Sequence, residues 1–174
     1  MVLPILLLCM VQGYAQIGST NRVASNELKL NTLYLPGGYH EISYERILSN
    51  KSAVGISMGF LFGSSGPNYA TDILTFDKAI LPYYRYHFGK KRASGFFVEG
   101  NTIVYSDTAE FIDEKETGWG MGLGFGIKLP TKNNWNVEFL AGGGFGINSR
   151  DDNSTFLNFP YMYPRLGLSF GKRF

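Results

Sequence analysis

One stretch constrains the fold more than any other: residues 118–129 read GWGMGLGFGIKL, with a glycine at almost every second position and a large apolar residue between. Successive side chains of a β-strand point to opposite faces, so strict alternation predicts a strand with one apolar face and one nearly bare face. Glycine weakens strand interiors, because it costs entropy and packs nothing. The stretch therefore predicts a strand between two unlike environments.

The same two-residue period recurs along the chain, and no long amphipathic helix or apolar 20-residue run follows residue 15. Short, evenly spaced strands with turn signals between them are typical of all-β sandwiches and barrels. We predict eight strands, at residues 27–35, 39–48, 53–62, 79–88, 95–105, 118–129, 135–147 and 161–174.

The connections between these strands alternate in length. The short ones are residues 49–51, 89–94 and 130–134, and the long ones are residues 63–78, 106–117 and 148–160. This alternation puts short turns at one end of a barrel and long loops at the other, as in bacterial outer-membrane barrels with short periplasmic turns. The first connection, residues 36–38, is short where a long one is expected.

Two kinds of barrel could use the unlike faces: a soluble, lipocalin-like barrel with the apolar face inside, or a membrane barrel with that face towards lipid. The smaller face carries charges of both signs, which can pair inside a narrow lumen. These inward charges are Glu27, Glu41, Glu45, Glu99, Glu138, Lys29, Arg85, Lys128, Arg165 and Arg173. We predict a structural ion-pair network in the lumen, made of Glu41, Glu45, Arg85, Glu99, Lys128, Glu138, Arg165 and Arg173. Within it, we expect Arg85 and Arg173 to lie beside Glu45 and Glu99, near the end with the short turns.

Large aromatic residues on the apolar face lie near predicted strand ends, which is typical of the girdles at membrane interfaces. We assign this role to Trp119, Trp135, Phe88 and Phe174, and note that Tyr34, Tyr44, Phe62 and Phe96 also lie near strand ends. The sequence thus favours an all-β, eight-stranded, antiparallel up-and-down transmembrane β-barrel. An eight-stranded barrel has room only for its own side chains. The bare glycine face would make room for Tyr83, Phe97, Tyr105 and Tyr163. The alternative is that glycine merely allows strong bending of the strand, and both can hold together.

Residues 1–15 form an apolar segment that ends in small residues at positions 13 and 15, as a signal-peptidase site requires. The segment is too short to span a membrane as a helix. It lacks the usual initial Lys or Arg, and an N-terminal anchor or a buried segment is the alternative. We predict a cleaved signal peptide at 1–15 and a barrel domain at 16–174, with both termini in the periplasm. Cleavage would remove Cys9, the single cysteine, and with it any disulfide or thiol chemistry.

Few residues suggest chemistry. His40 and His87 are the only histidines, and we place them at opposite ends of the barrel. Alternation also puts His40 on the other face from Glu41 and Ser43. No His/Cys spacing predicts a metal site, and no Lys-Ser/Thr follows the glycine runs, as a phosphate loop requires. The acidic clusters at 113–116 and 151–153 are either weak cation sites or solvated loop tips. We predict no catalytic residue, metal or cofactor.

Four segments carry a family resemblance: NELKLNTLYLPGGYHEISYERIL, ILPYYRYHFGKK, GFFVEGN and the closing GLSFGKRF. They resemble a family of small outer-membrane barrels of unknown function, typical of Bacteroidota-type Gram-negative bacteria. The fold is similar to that of OmpA- and OmpX-type barrels. The resemblance implies no activity. Lys172 departs from the pattern, because barrel-assembly signals usually carry an apolar or aromatic residue two places before the terminal Phe.

We therefore expect a monomeric outer-membrane protein with a structural or surface-interaction role and a plugged lumen, since eight strands leave no open channel. Its expected partners are outer-membrane lipid, lipopolysaccharide and the barrel-assembly machinery, the last through the strand ending at Phe174. A net charge of +2 without a basic stripe argues against nucleic acid. The alternatives are a barrel that binds a small apolar ligand or lipid, and a lipid-modifying enzyme.

Overall fold

A computed structural model describes residues 24–62, 76–108, 115–148 and 161–174. These residues form nine strand segments and two single turns of 3-10 helix, Leu35–Gly37 and Lys132–Asn134. The strand segments are β1 (Asn26–Asn31), β2 (Tyr39–Ile47), β3 (Ser52–Leu61), β4 (Lys78–His87), β5 (Gly95–Thr108), β6 (Lys115–Pro130), β7 (Trp135–Asn148), β8 (Tyr161–Pro164) and β9 (Gly167–Arg173).

The segments close into one antiparallel barrel. Each of β1 to β7 pairs with the next strand along the chain, and β9 pairs with both β7 and β1. β8 pairs with β7 in the same register as β9, and between them the Arg165 N–H donates to the Gly142 carbonyl at 2.9 Å. β8 and β9 are therefore two halves of one last strand. The predicted all-β, eight-stranded antiparallel barrel is confirmed.

The strand ends differ from the prediction in two informative places. The first strand was predicted to reach residue 35 but ends at Asn31, because the chain turns into the 3-10 segment that contains Pro36. Gly38 completes that turn with φ of 80°, a left-handed conformation that suits glycine. The last strand was predicted to be continuous but is interrupted at residues 165–166. The short connections lie at one end of the barrel, as predicted.

The faces of the wall are divided as alternation predicts. In β4, Leu81, Tyr83 and Arg85 are buried inside, whereas Ile80 and Tyr84 are about half exposed on the outside. The other strands repeat this division, so the apolar face points outward. The alternative of a lipocalin-like barrel with an apolar interior is wrong for the described residues.

The glycines of β6 leave space for large inward side chains. A Cβ atom added at Gly126 would lie 2.5 Å from the Phe97 ring, and one at Gly122 would lie 2.6 Å from the Tyr163 hydroxyl. A Cβ at Gly118 would collide with the Tyr105 ring. The bare face is therefore the complement of bulky residues on neighbouring strands, as the sequence predicted.

The aromatic residues near the strand ends divide into exposed and buried ones. Trp119, Trp135, Phe88 and Phe174 are about half exposed or more on the outer face. Tyr34, expected near a strand end on that face, is instead buried, and its hydroxyl accepts a hydrogen bond from the Leu166 N–H at 3.1 Å. Burial and the neighbouring Glu41 carboxylate raise the pKa of the Tyr34 hydroxyl to about 12, so it stays neutral.

Several predictions lie outside the described residues. They are the signal peptide at 1–15, most of the three long connections, residues 113–114 of the first acidic cluster, and the second acidic cluster at 151–153. Within the described ranges, no helical segment has the length and apolar character needed to cross a membrane.

Candidate functional site

The barrel encloses a continuous group of charged side chains, which we call the lumen network. It contains five carboxylates and five cations, and all are buried except Arg173, whose side chain is 13% exposed. Strand pairing already aligns several of them: Arg85 lies opposite Glu99, and Lys128 lies opposite Glu138. The members are Glu27, Glu41, Glu45, Glu99, Glu138, Lys29, Arg85, Lys128, Arg165 and Arg173.

Arg85 is the centre of the network. Its guanidinium nitrogens lie 2.9 Å from Glu45, 2.6 Å from Glu99 and 2.8 Å from Glu138. The same group packs against two rings, with its central carbon 4.4 Å from the Tyr83 ring centroid and 4.5 Å from that of Phe97. A planar guanidinium suits this site, because it binds carboxylates at its edge and aromatic rings on its faces. The arrangement fixes Arg85 in one position.

Two lysines link the remaining carboxylates. Lys29 Nζ lies 2.8 Å from Glu45 and 3.2 Å from Glu138. Lys128 Nζ lies 2.5 Å from Glu45, 3.1 Å from Glu27 and 3.5 Å from Glu138. Carboxylate oxygens of Glu27, Glu45 and Glu138 approach one another within 4.8 Å, a spacing that could hold a metal ion. The two ammonium groups already supply the positive charge there, so the cluster does not indicate a metal site.

Arg165 extends the network towards the end with the long connections. It lies in the gap between β8 and β9, with Nη1 2.5 Å from Glu41 and Nε 3.0 Å from Glu99. Its Nη2 donates to the Ser57 hydroxyl at 3.2 Å. Because Glu99 also binds Arg85, the two arginines belong to one chain of ion pairs along the lumen.

The β4–β5 turn, residues 89–94, folds beneath the barrel at the short-turn end. Arg173 donates to the carbonyls of Arg92 at 2.9 Å and Ala93 at 2.5 Å, while its Nε lies 2.8 Å from Glu27. Ala93 is fully buried, and its N–H donates to the Asn50 carbonyl at 2.7 Å. The turn is therefore attached both to the last strand and to the β2–β3 turn. It covers the lumen at this end.

The structure places all eight predicted lumen residues inside the barrel but changes one of the proposed pairings. Arg173 was expected beside Glu45 and Glu99, but it contacts Glu27 and the β4–β5 turn instead. The eight-residue set also omits Glu27 and Lys29, which both join the network. The alternation of β1 had already placed these two inside.

Aromatic residues surround the ion pair of Glu41 and Arg165 in the other half of the lumen. Tyr34 and Tyr39 meet edge to face with ring centroids 6.0 Å apart, and Phe76 lies 4.1 Å from Tyr105. Together with Tyr163, several of these residues border a cavity of about 40 Å³. That volume has room for about three water molecules. As the described residues bound it, this space is too small for a lipid chain or another apolar ligand.

Side chains complete the contact between β1 and the last strand, a region we call the seam. Beyond Asn31, where β1 ends, the Leu168 N–H donates to Asn31 Oδ1 at 3.1 Å, and Asn31 Nδ2 donates to the Leu166 carbonyl at 3.1 Å. Thr32 donates to the Leu168 carbonyl through its N–H, and the Tyr34 hydroxyl accepts from Leu166. These bonds satisfy backbone groups that no neighbouring strand reaches.

The two histidines lie on opposite faces of the wall, as predicted. His40 is on the outer face, where its ring stacks on Phe60 with centroids 5.9 Å apart, whereas Glu41 and Ser43 are buried inside. His87 is fully buried in the lumen, 5.3 Å from the Phe97 ring. Neither ring nitrogen of His87 has a hydrogen-bond partner among the described residues. The histidines therefore do not share a site.

Comparison with known proteins gives one family. The family described as "Protein of unknown function (DUF3575)" matches residues 1–156, a range that includes β1 to β7. Neither the curated proteins nor the solved structures contain a match to the chain.

Proposed function

The chain belongs to the DUF3575 family of proteins of unknown function, and we propose that it is an integral outer-membrane β-barrel with a closed lumen and a structural or surface-interaction role. One observation carries this proposal: the outer wall is apolar over its whole middle. Leu123 is 73% exposed and Phe125 67% on β6, and Phe145 is 53% exposed on the neighbouring β7. Soluble monomers rarely expose a contiguous apolar surface of this extent. The hydrocarbon core of a lipid bilayer is an environment in which such an apolar surface is stable.

The closed barrel supports the same proposal through its backbone. Hydrocarbon offers no hydrogen bonds, so a structure within a bilayer must satisfy its own N–H and C=O groups. The ring of strand pairs does so, and side chains take over at the seam. The exposed aromatics near both ends of the wall, Trp119 and Trp135 among them, suit the two interfaces of a bilayer.

The lumen supports a role other than conduction. Ion pairs fill it around Arg85, and the β4–β5 turn covers one end. We infer that the protein acts through its outer surface and its long connections. The finer parts of the proposal are a signal peptide at 1–15, periplasmic termini, a monomeric state, contact with lipopolysaccharide, and a Bacteroidota-type Gram-negative source.

Assembly through the C-terminal strand is a further part of the proposal. Lys172 departs from the usual assembly signal, but its Nζ donates to the Asn133 carbonyl at 2.6 Å and lies 5.2 Å from the Trp135 ring centroid. A lysine in such a place directs its charge to the interface while its stem stays on the apolar surface. This geometry makes Lys172 compatible with a strand that the barrel-assembly machinery recognises.

Fractionation and gel mobility test the proposal directly. We expect the protein in the outer-membrane fraction, soluble only with detergent, and migrating differently on a gel before and after boiling. Recovery as a detergent-free soluble protein with one mobility would refute it. In planar bilayers, we expect no steady conductance from the wild type. A large stable conductance would instead indicate a channel.

Cysteine labelling tests the orientation. Without residues 1–15 the chain has no cysteine, so each introduced thiol is unique. We expect Ser154→Cys, in a long connection, to react with an impermeant maleimide on whole cells. Asn133→Cys, in the β6–β7 turn, should react only after the outer membrane is permeabilised. The opposite labelling result would show that the barrel has the reverse orientation in the membrane.

A further inference from the structure

The end of the barrel with the short turns carries only basic charges on its outside. We call this region the short-turn rim and define it as residues 24–26, 46–51, 88–95, 130–135, 172 and 174. It contains no Asp or Glu side chain. Its cations come from three turns and two strands, and five of the seven are exposed. They are Arg46, Lys51, Lys90, Lys91, Arg92, Lys132 and Lys172.

The acidic residues are distributed differently from the rim cations. Five of the fourteen carboxylates lie in the lumen network, where five cations balance them. The other nine all belong to residues 63–78, 106–117 and 148–160, which hold only three cations, Lys78, Lys115 and Arg150. The net charge of +2 is small, although the charges are distributed very unequally between the two ends. One end of the barrel is basic, and the connections of the other end are acidic.

The rim cations lie close to exposed apolar side chains. Lys90 and Lys91 follow Phe88, which is 61% exposed, and Lys172 lies over the ring of Trp135. The rim therefore places ammonium and guanidinium groups just beyond the edge of the apolar belt. In a bilayer, that position is the depth of the lipid phosphates.

We propose that the short-turn rim binds the phosphate groups of anionic phospholipids in the leaflet at that end of the barrel. This inference rests on the proposed membrane location. A lipid suits the rim better than an acidic protein, because the cations are distributed over separate turns beside the apolar belt, as a surrounding leaflet requires. Each cation near an anionic surface favours binding roughly fivefold.

The two tryptophans allow a test on the complete barrel, since each lies near one end. Trp119→Phe leaves only Trp135, beside the rim, and Trp135→Phe leaves only Trp119, near the long connections. We would reconstitute both in vesicles that contain brominated phosphatidylglycerol or brominated phosphatidylcholine, because bromine quenches the fluorescence of a nearby indole. We expect Trp135 to be quenched more by the anionic lipid, and Trp119 to show no such preference.

Charge removal and salt provide the controls. In the Trp135 protein, Lys90→Gln, Lys91→Gln and Lys132→Gln together should reduce the preference for phosphatidylglycerol at least fivefold. The matched variant Lys78→Gln, Lys115→Gln, Arg150→Gln removes the same charge at the other end and should leave the preference unchanged. About 1 M salt, where the Debye length falls to about 3 Å, should reduce the preference without any substitution.

The outcomes separate this inference from the proposed membrane location. Equal quenching of Trp135 by both lipids, or the same anionic preference at both tryptophans, would overturn the rim proposal. The former result would direct attention to an acidic protein partner. If neither brominated lipid quenched either tryptophan, the membrane barrel itself would be refuted.

Discussion

The inner and outer faces of the barrel wall are stabilised in opposite ways, although they alternate residue by residue along the same strands. On the inner face each charge of the lumen network has a partner, and Glu45 and Glu138 each have three. On the outer face, Leu123 and Phe125 present apolar surface without polar neighbours on either side of them in the strand. The comparison teaches that the inner face does not tolerate the loss of a charge, whereas the outer face does not tolerate the gain of one.

The largest effect should come from removing the centre of the lumen network. Arg85→Ala leaves Glu45, Glu99 and Glu138 without their shared guanidinium, and a buried charge that loses its partner costs about 3–5 kcal/mol. We expect a loss of that size in the free energy of unfolding, measured by reversible denaturation in lipid vesicles.

A double variant separates pairing from simple loss of volume. Arg85→Met with Glu99→Leu removes one charge of each sign, so the lumen remains balanced. We expect it to cost much less than Arg85→Ala, because apolar replacement of a whole buried pair is often nearly neutral. Additive losses from the two single changes would show that Arg85 and Glu99 do not interact.

A charge introduced on the outer face should have the next largest effect. In the proposed membrane location, Phe125→Arg would place a cation against lipid near the middle of β6, at an expected cost of about 2–4 kcal/mol. Its neighbour Gly124 faces inward, and a Cβ there lies 3.1 Å from the flexible end of Leu140. Gly124→Ser should therefore cost clearly less in the same unfolding assay. A reversed ranking would contradict the division of the faces.

Matched glycine substitutions test the same division without charge. Gly126→Ala inserts a methyl group against Phe97 and the backbone inside the wall, and overpacking of this kind costs about 1–3 kcal/mol. Gly100 lies on the outer face of β5 with open space around a Cβ. Gly100→Ala should change stability by no more than about 0.5 kcal/mol. Comparable losses at both glycines would mean that strand bending, rather than space, requires Gly126.

The smallest effect concerns a position at the short-turn rim where the outer face favours a cation. Lys172→Ala removes the contact with the Trp135 ring, which is worth about 0.5–1 kcal/mol at an exposed site. We expect a loss of that size, so that a cation stabilises at the rim but destabilises at Phe125. Lys172→Met, which keeps the stem, should lose only the two contacts of the ammonium group, with the Trp135 ring and with the Asn133 carbonyl. A gain in stability from either change would remove the distinction between rim and belt.

Much of this architecture could be predicted, because a two-residue period both identifies a strand and divides its faces. Glu45, Arg85, Glu99 and Glu138 were placed inside by alternation alone, and the structure puts them there. The bare face of β6 likewise predicted large inward neighbours, among them Phe97. These inferences succeeded because they depend only on local geometry.

Partners across the lumen could not be predicted in the same way. Because the strands are tilted, the residues that lie at one height in the lumen cannot be identified from local spacing. Arg173 was therefore placed beside Glu45 and Glu99, whereas it pairs with Glu27. The position of the β4–β5 turn depends on Ala93 at φ 40°, a conformation for which alanine gives no signal. Tyr34 was misplaced because the strand ended early, and parity fails beyond a strand end.

The seam has a consequence for the circumference of the barrel. Sliding the last strand past β1 by one residue would exchange its faces, but a slide by two would keep every side chain on its proper side. Such a slide would change the stagger of the strands, and in a closed barrel the stagger helps to set the radius. The alternation of apolar and polar residues does not prevent a slide by two residues. The contacts across the seam depend on the alignment, because Asn31 bonds both Leu166 and Leu168 and Glu27 pairs with Arg173, so together they help to select the circumference of the barrel.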